Sequence, residues 1–237
     1  MNRNKWQRLL AAGLSAALAL SLSACGGTDS TQQDDTAPQD PTAESGQGTD
    51  ETVQLADPGN ILIAYFTADE NTEPDAVSSA SVTEINGEEV GRVRVVANMI
   101  AQQTGGDLFS IQTSVEYPED GGDLIDYAAE EQDENARPEL TSHIENLDDY
   151  DTIFIGYPNW WGDMPMVLYS FFDEYDFSGK TIIPFNVHNG SRFSRTIETI
   201  KELEPGATVV EDGFTVSEND VADAQADVTD WLRGLGF

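Results

Sequence analysis

Hydrophobic positions along this chain follow two rhythms. Short, nearly continuous apolar runs recur at Ile61–Phe66, Leu108–Ile111, Thr152–Gly156, Thr181–Phe185 and Thr208–Val216, the last bent at Gly213. Runs of this length without polar alternation predict strands buried on both faces. Between them the apolar spacing becomes helical. Val93–Gln103 is stopped by Thr104-Gly105-Gly106, Leu124–Glu134 follows, and Pro165–Tyr175 begins with a proline suited to a first turn. Ser194–Leu203 ends at Pro205-Gly206, and Glu218–Leu235 has Ser217 as its expected N-cap. Strand and helix alternating in this way predict a doubly wound α/β fold, a five-stranded parallel sheet with helices on both faces. Ligands on such sheets bind at the carboxyl ends of the strands, so the loops after Phe66, Gly156 and Phe185 are the candidate site.

One apolar run lies outside this pattern. Leu9–Leu22 follows Arg3, Lys5 and Arg8 and ends in Leu22-Ser23-Ala24-Cys25-Gly26-Gly27. It is shorter than the roughly 20 apolar residues a membrane span needs, and its basic start and small-residue end describe a signal peptide. The ending resembles the lipobox of bacterial lipoproteins. That resemblance implies cleavage before Cys25, acylation of its sulfur by palmitate-class chains, and a lipid anchor on the extracytoplasmic face of the cell membrane. Residues 1–24 are thus expected to be a lipoprotein signal peptide. Residues 25–58 are expected to be the lipidated cysteine and a disordered acidic linker, because residues 26–58 hold eight acids, no base and almost no large apolar side chain. Such a tether reaches on the order of 30 Å. Residues 59–237 then form one domain.

Charge narrows the function. The chain has 44 acids and 11 Lys and Arg, a net charge of −33, and removal of residues 1–24 makes it −36 because three cations and no acids leave. Nucleic acid is excluded as a partner, since phosphate contacts need Lys and Arg. A protein partner is expected to be basic. Cys25 is the one cysteine, which excludes a disulfide framework, a cysteine nucleophile and an iron–sulfur cluster in the domain.

The loop after the third run reads Gly156-Tyr157-Pro158-Asn159-Trp160-Trp161-Gly162-Asp163-Met164-Pro165. Two adjacent tryptophans in a loop are costly to expose together, so one is expected to be buried and the other to wall a site for a flat conjugated ligand. After the fourth run comes Phe185-Asn186-Val187-His188-Asn189-Gly190-Ser191-Arg192-Phe193-Ser194. Gly190 allows a tight backbone whose amides can meet ligand carbonyls. His188 reads first as a loop hydrogen-bonder, His143 receives no role, and no acid or second histidine at ligand spacing suggests a metal.

These loops, with the Ile61–Phe66 strand ending in Thr67, resemble the flavodoxin family, and among it the bacterial lipoprotein-type members. The resemblance runs across the domain and implies strand order 2-1-3-4-5 and non-covalent binding of FMN. It puts Thr67 at the phosphate with the helix start Gly91, Arg92 and Val93. Pro158, Asn159, Trp160, Trp161 and Gly162 would line one side of the ring, and Asn186, His188, Asn189, Gly190 and Ser191 the other. Trp160 is the expected stacking partner, with Trp161 the alternative. The chain departs from the family's phosphate loop: residues 68–90 intervene before Gly91, and the usual threonine of the first helical turn is missing. Ser78-Ser79-Ala80-Ser81-Val82-Thr83 offers hydroxyls instead, and Arg92 or Arg94 offers charge.

The expected function is therefore electron transfer, to a redox partner protein or a small acceptor such as a quinone, with no side chain required as acid or base. A flavin-free binding lipoprotein on the same scaffold is the competing expectation. A phosphoacceptor receiver domain is excluded, because the first strand ends in Thr67 and the third in Gly156-Tyr157 rather than in aspartates. For the anchor, Cys25→Ser is expected to release the protein from membranes or leave it unprocessed. A mature-sized variant that still sediments with membranes would refute lipidation at this residue.

Overall fold

The structure, a computed structural model, describes residues 54–55, 57–73 and 82–237. The expected signal peptide, Cys25, most of the expected linker and Ser78–Ser81 lie outside the described residues. Five parallel pairings join β1 (Ile61–Tyr65), β4 (Asp107–Ser110), β5 (Thr152–Pro158), β6 (Thr181–His188), β7 (Thr208–Val209) and β8 (Phe214–Ser217) into one sheet. Its order is β4-β1-β5-β6-β7, with β8 also pairing β6. Counting β7 and β8 as one interrupted strand, this is the expected 2-1-3-4-5 order.

Both faces are covered, as the unbroken apolar runs require. Along β1, Leu62 and Ala64 turn to one face and Ile61, Ile63 and Tyr65 to the other. The first face packs against α2 (Gly121–Asp133), α3 (Met166–Glu174) and Ile200 of α4 (Thr196–Leu203). The second packs against α1 (Arg92–Thr104) and α5 (Gln225–Leu235). In β5 and β6, Phe185 lies across from Gly156, and a Cβ at Gly156 would stand 2.1 Å from the Phe185 ring. The glycine is therefore a packing requirement: its missing side chain is the space the phenylalanine fills.

The edge strand breaks for a local reason. The Lys180 and Ile182 carbonyls accept from Thr208 and Val210 N–H at 2.9 Å. Two residues further on, in the same phase, stands Pro184, which has no N–H to offer. There the neighbour bulges: a Cβ on Gly213 would lie 2.5 Å from the Pro184 carbonyl oxygen. Pairing resumes at Phe185↔Phe214.

Several boundaries differ from expectation, and three of them have a plain local reason. Ser217 ends β8 rather than capping a helix; a short 3-10 turn at Val221–Asp223 follows, and α5 begins only at Gln225. Helix α2 starts three residues early because the Asp120 carboxylate accepts from Gly122 and Asp123 N–H, an N-cap that offsets two initial glycines. The domain also reaches back into the expected linker. Leu55 N–H donates to Leu235 C=O at 2.9 Å, and the Pro58 carbonyl accepts from Thr152 Oγ1 at 2.7 Å.

The largest surprise lies in the segment before Gly91. Val82–Ile85 (β2) and Glu88–Gly91 (β3) form an antiparallel hairpin around Asn86-Gly87, whose φ values are 54° and 87°. Both corners are left-handed, as in a type I′ turn, and Asn-Gly is the strongest short-range sequence signal for it. No helix among the described residues is long and apolar enough to cross a membrane.

Gly156→Ala is expected to destabilise the domain by about 1–3 kcal/mol, the range for overpacking a filled core. Urea denaturation checks this. Wild-type stability in the variant would mean the Phe185 ring has room to move aside.

Candidate functional site

Strand order reverses between β1 and β5, so the crevice above their carboxyl ends is the natural ligand position. Three segments surround it: residues 66–73 after β1 with the start of α1, residues 159–165 after β5, and residues 189–195 after β6.

The loop after β5 is a turn of two residues. Trp160 and Asp163 exchange backbone hydrogen bonds at 2.9 Å, and the corners Trp161 and Gly162 have φ of 53° and 81°. Asn159 Oδ1 accepts from Gly162 N–H at 3.0 Å and holds the turn in shape. A left-handed tryptophan costs roughly 1–2 kcal/mol, and such strain is concentrated at functional loops. The turn sends the two indoles in different directions. Trp160 is 7% exposed and lies edge-on to Phe66 at 5.7 Å and Tyr117 at 5.5 Å. Trp161 is 61% exposed, with its indole N–H donating to the Ile125 carbonyl at 2.8 Å. The expected stacking role of Trp160 is therefore corrected: its faces are used by the core, and Trp161 is the indole a ligand can reach.

The loop after β6 is tied to the first. The Arg192 carbonyl accepts from both Asn159 Nδ2 and Asn186 Nδ2 at 2.8 Å. Asn186 is fully buried and its Oδ1 accepts from Thr215 Oγ1 at 2.6 Å, so it braces the loop and does not line a ring. Gly190, Arg192 and Ser194 have φ of 93°, 53° and 52°, which folds residues 189–194 tightly over the strand end. His188 Nδ1 accepts from Gly190 N–H at 2.8 Å. That bond places any proton of the neutral ring on Nε2. Burial, with the neighbouring Arg192 charge, lowers the His188 pKa against the opposing pull of Asp220. Asn189, Gly190 and Ser191 are exposed.

At the third segment the chemistry is acidic. Thr67 Oγ1 donates to Asp69 Oδ1 at 2.6 Å, and the same carboxylate accepts from the Gly91 N–H at the start of α1. A Cβ on Gly91 would stand 1.9 Å from that oxygen. Burial raises the Asp69 pKa, only partly offset by the Thr67 bond. Glu70 accepts from Tyr65, Ser110 and Arg94. Arg92 approaches Glu218 at 3.9 Å. Val93 is buried in the α1–α5 core and cannot touch a ligand, and Pro158 is buried within β5.

The structure thus brings Asn159, Gly162, Asn186, His188 and Gly190 together as a braced pair of loops. It places Thr67 and Gly91 together under Asp69, and withdraws Val93, Pro158 and Trp160 into the core. Sequence reasoning missed Asp69, Glu70 and Arg192. Their signal was position: two acids immediately after the first strand, and an arginine inside a glycine loop of an acidic chain.

A parallel α/β domain with left-handed loops at its switch point is the architecture of nucleotide-binding doubly wound proteins. A family model described as Flavodoxin matches residues 87–235, and the chain belongs to the flavodoxin family. Among solved structures, a Bacteroides uniformis protein assigned as a flavoprotein is 26% identical, covers 75% of this chain and 99% of its own, and superposes with a TM-score of 0.57. A similar assignment from Bacteroides eggerthii is 26% identical over 72% of this chain and 98% of that one, TM-score 0.53. A Lactobacillus acidophilus flavoprotein in complex with FMN shares the fold at 19% identity over 71% and 99% of the two chains, TM-score 0.50. No curated protein matches the chain in sequence.

Beside Tyr117, which packs on Trp160, sits a buried acid. Glu131 of α2 is 6% exposed and faces the Tyr117 hydroxyl, with neither group in a hydrogen bond of normal geometry. Burial pushes the Glu131 carboxyl up from 4.5 to about 7. A group whose folded pKa is raised favours the fold while protonated. Stability should therefore fall as pH rises from about 4.5 to 7 and level off above. The loss is on the order of 3 kcal/mol at most. Glu131→Gln should remove this part of the slope. Denaturation at pH 5 and pH 8 checks it, and parallel pH profiles in both proteins would rule out Glu131 as its source.

Proposed function

We propose that this domain binds FMN non-covalently at the carboxyl ends of β1, β5 and β6. In this reading it works at the extracytoplasmic face of a membrane, held there by lipid on Cys25. It passes electrons to a basic partner protein or to a small acceptor such as a quinone. The observation that carries the reading is the pair of left-handed loops, 160–163 and 189–194, locked together at the switch point of the sheet.

The ring end fits a flat cofactor. Trp161 offers an exposed indole, and the backbone from Asn189 to Ser191 is open to ring carbonyls. At the other end Thr67 and Gly91 have the donors a phosphate needs, at the start of a helix. FMN supplies the redox chemistry when bound. The chain's own work is to hold the ring and keep a neutral His188 beside it, with Asp69 and Glu70 at the phosphate end.

A second reading, a flavin-free binding protein, is favoured by one observation: Asp69 already sits on Thr67 Oγ1 and the Gly91 N–H. A phosphate there must displace a carboxylate of its own sign.

The purified domain, residues 54–237, is expected to take up FMN and show its visible absorption. Trp161→Ala should weaken FMN about tenfold, from loss of roughly 0.5–1.5 kcal/mol of stacking plus buried area, and leave the fold intact. Trp160→Ala should instead cost about 3–5 kcal/mol of stability. Asp69→Asn should tighten FMN and leave riboflavin unchanged. A domain that takes up neither flavin, in wild type or Asp69→Asn, would establish the flavin-free reading.

A further inference from the structure

The described residues include eight Lys and Arg side chains, and six have an acid or a carbonyl as partner. Arg92, Arg94, Arg137, Lys201 and Arg233 face Glu218, Glu70, Asp173, Glu211 and Asp230, and Lys180 donates to the Tyr150 carbonyl. Arg192 and Arg195 are the two whose side chains make no hydrogen bond or ion pair among the described residues. Both stand on the single loop between β6 and α4. With 44 acids to 11 bases in the chain, a cation without an acid is out of keeping with the rest of the surface. Their position adds to this. Arg195 occupies the N-cap of α4, where the helix dipole opposes a positive charge. Two cations with no acid partner among the described residues, one at the helix amino end and one three residues before it, are a local departure from the stabilising arrangement, and such departures mark functional sites.

A groove of about 430 Å³ runs from this point along α4. Trp161, Tyr169 and Leu203 supply its flat and apolar walls, Arg195 lies at one end, and Glu202 lies two helical turns further on. The Asp163 carboxylate borders it but is already used, accepting from Met164 N–H and Tyr169 Oη at 2.8 Å. Gln132 is held in place by its own bond to the Trp160 carbonyl at 2.7 Å. The Trp161 indole is fixed on Ile125 before any ligand arrives, so little ordering is lost on binding. The volume falls in the range of small-molecule sites.

We propose that this groove binds a planar aromatic anion, with its ring against Trp161 and its negative group on Arg195. The acid at the far end orients the ligand by excluding its charge from that side. The groove takes this ligand in the flavin-free domain, because the Trp161 indole is also the one that the proposed FMN site uses.

Calorimetric titration of the flavin-free domain with 2-naphthoate and with its uncharged counterpart 2-naphthamide tests this. The carboxylate is expected to bind roughly tenfold tighter than the amide, in spite of the protein's negative charge, because only it makes a charge-assisted contact. Arg195→Gln should abolish that preference and leave the amide's affinity unchanged. Trp161→Ala should weaken both ligands. FMN is expected to displace naphthoate, because both use Trp161, and Arg195→Gln should leave FMN affinity unchanged. Equal affinities for the two ligands, an unchanged preference in Arg195→Gln, or no binding at all would overturn the proposal. A loss of FMN affinity in Arg195→Gln would also overturn it, by showing that the groove is the flavin's own seat. Both substituted residues are exposed, and an unchanged melting temperature confirms that each variant is folded.

Discussion

The carbonyl oxygen of Arg192 receives the side-chain amides of Asn159 and Asn186, each at 2.8 Å, and so joins the ends of two neighbouring strands to a single point. The left-handed backbone of the β6 loop is what turns that carbonyl inward. β5 and β6 run in register up to Pro158↔Val187, and Asn159 N–H extends the ladder to the Val187 carbonyl. The two amides then continue the connection beyond the sheet, where no strand pairing is available. The positions of the Trp161 tip, the His188 ring and the exposed amides after it all follow from this junction. Tyr157 adds a lower brace, its hydroxyl donating to Thr196 Oγ1 at 2.8 Å inside the core.

Much of the fold was legible in the sequence because strands buried on both faces leave no ambiguity of pattern. Ile61–Phe66 and Thr152–Gly156 had to be central, and the order of elements left few topologies. The β2–β3 hairpin was not read, although Asn86-Gly87 announces it. Its strands carry Glu84, Glu88 and Glu89 and show no apolar run, since the hairpin buries little beyond Ile85 and Val90. Helix α5 was drawn too long because Val221 and Ala224 are buried at helical spacing, but within a 3-10 turn and its cap.

At the site, the pattern located the loops and could not distribute their side chains. Which of two adjacent tryptophans goes inward depends on a type I′ turn, and that turn usually has Asn or Gly where Trp161 stands. Asn186 looked like a ligand contact because it is polar and at a strand end. Its burial follows from the partner that Thr215 provides on β8, a contact between residues far apart in the chain. Asp69 was passed over for a related reason. An acid beside an expected anion site seems excluded by charge until the hydroxyl of Thr67 and the N–H of Gly91 are seen to hold it.

The interruption of the edge strand at Pro184 has a bearing on the protein's life among copies of itself. A sheet edge is a row of unsatisfied donors and acceptors that invites a strand from another molecule. Here that edge is dealt out in two short pieces, Thr208–Val209 and Phe214–Ser217, with a bulge at Gly213 between them. A neighbouring chain would find no straight ladder long enough to register on. For a protein gathered at high density on a two-dimensional surface, as the proposed lipid anchor would do, collisions between copies are frequent. A proline in the penultimate strand of the sheet thereby acts at a distance of one strand, as protection against crowding.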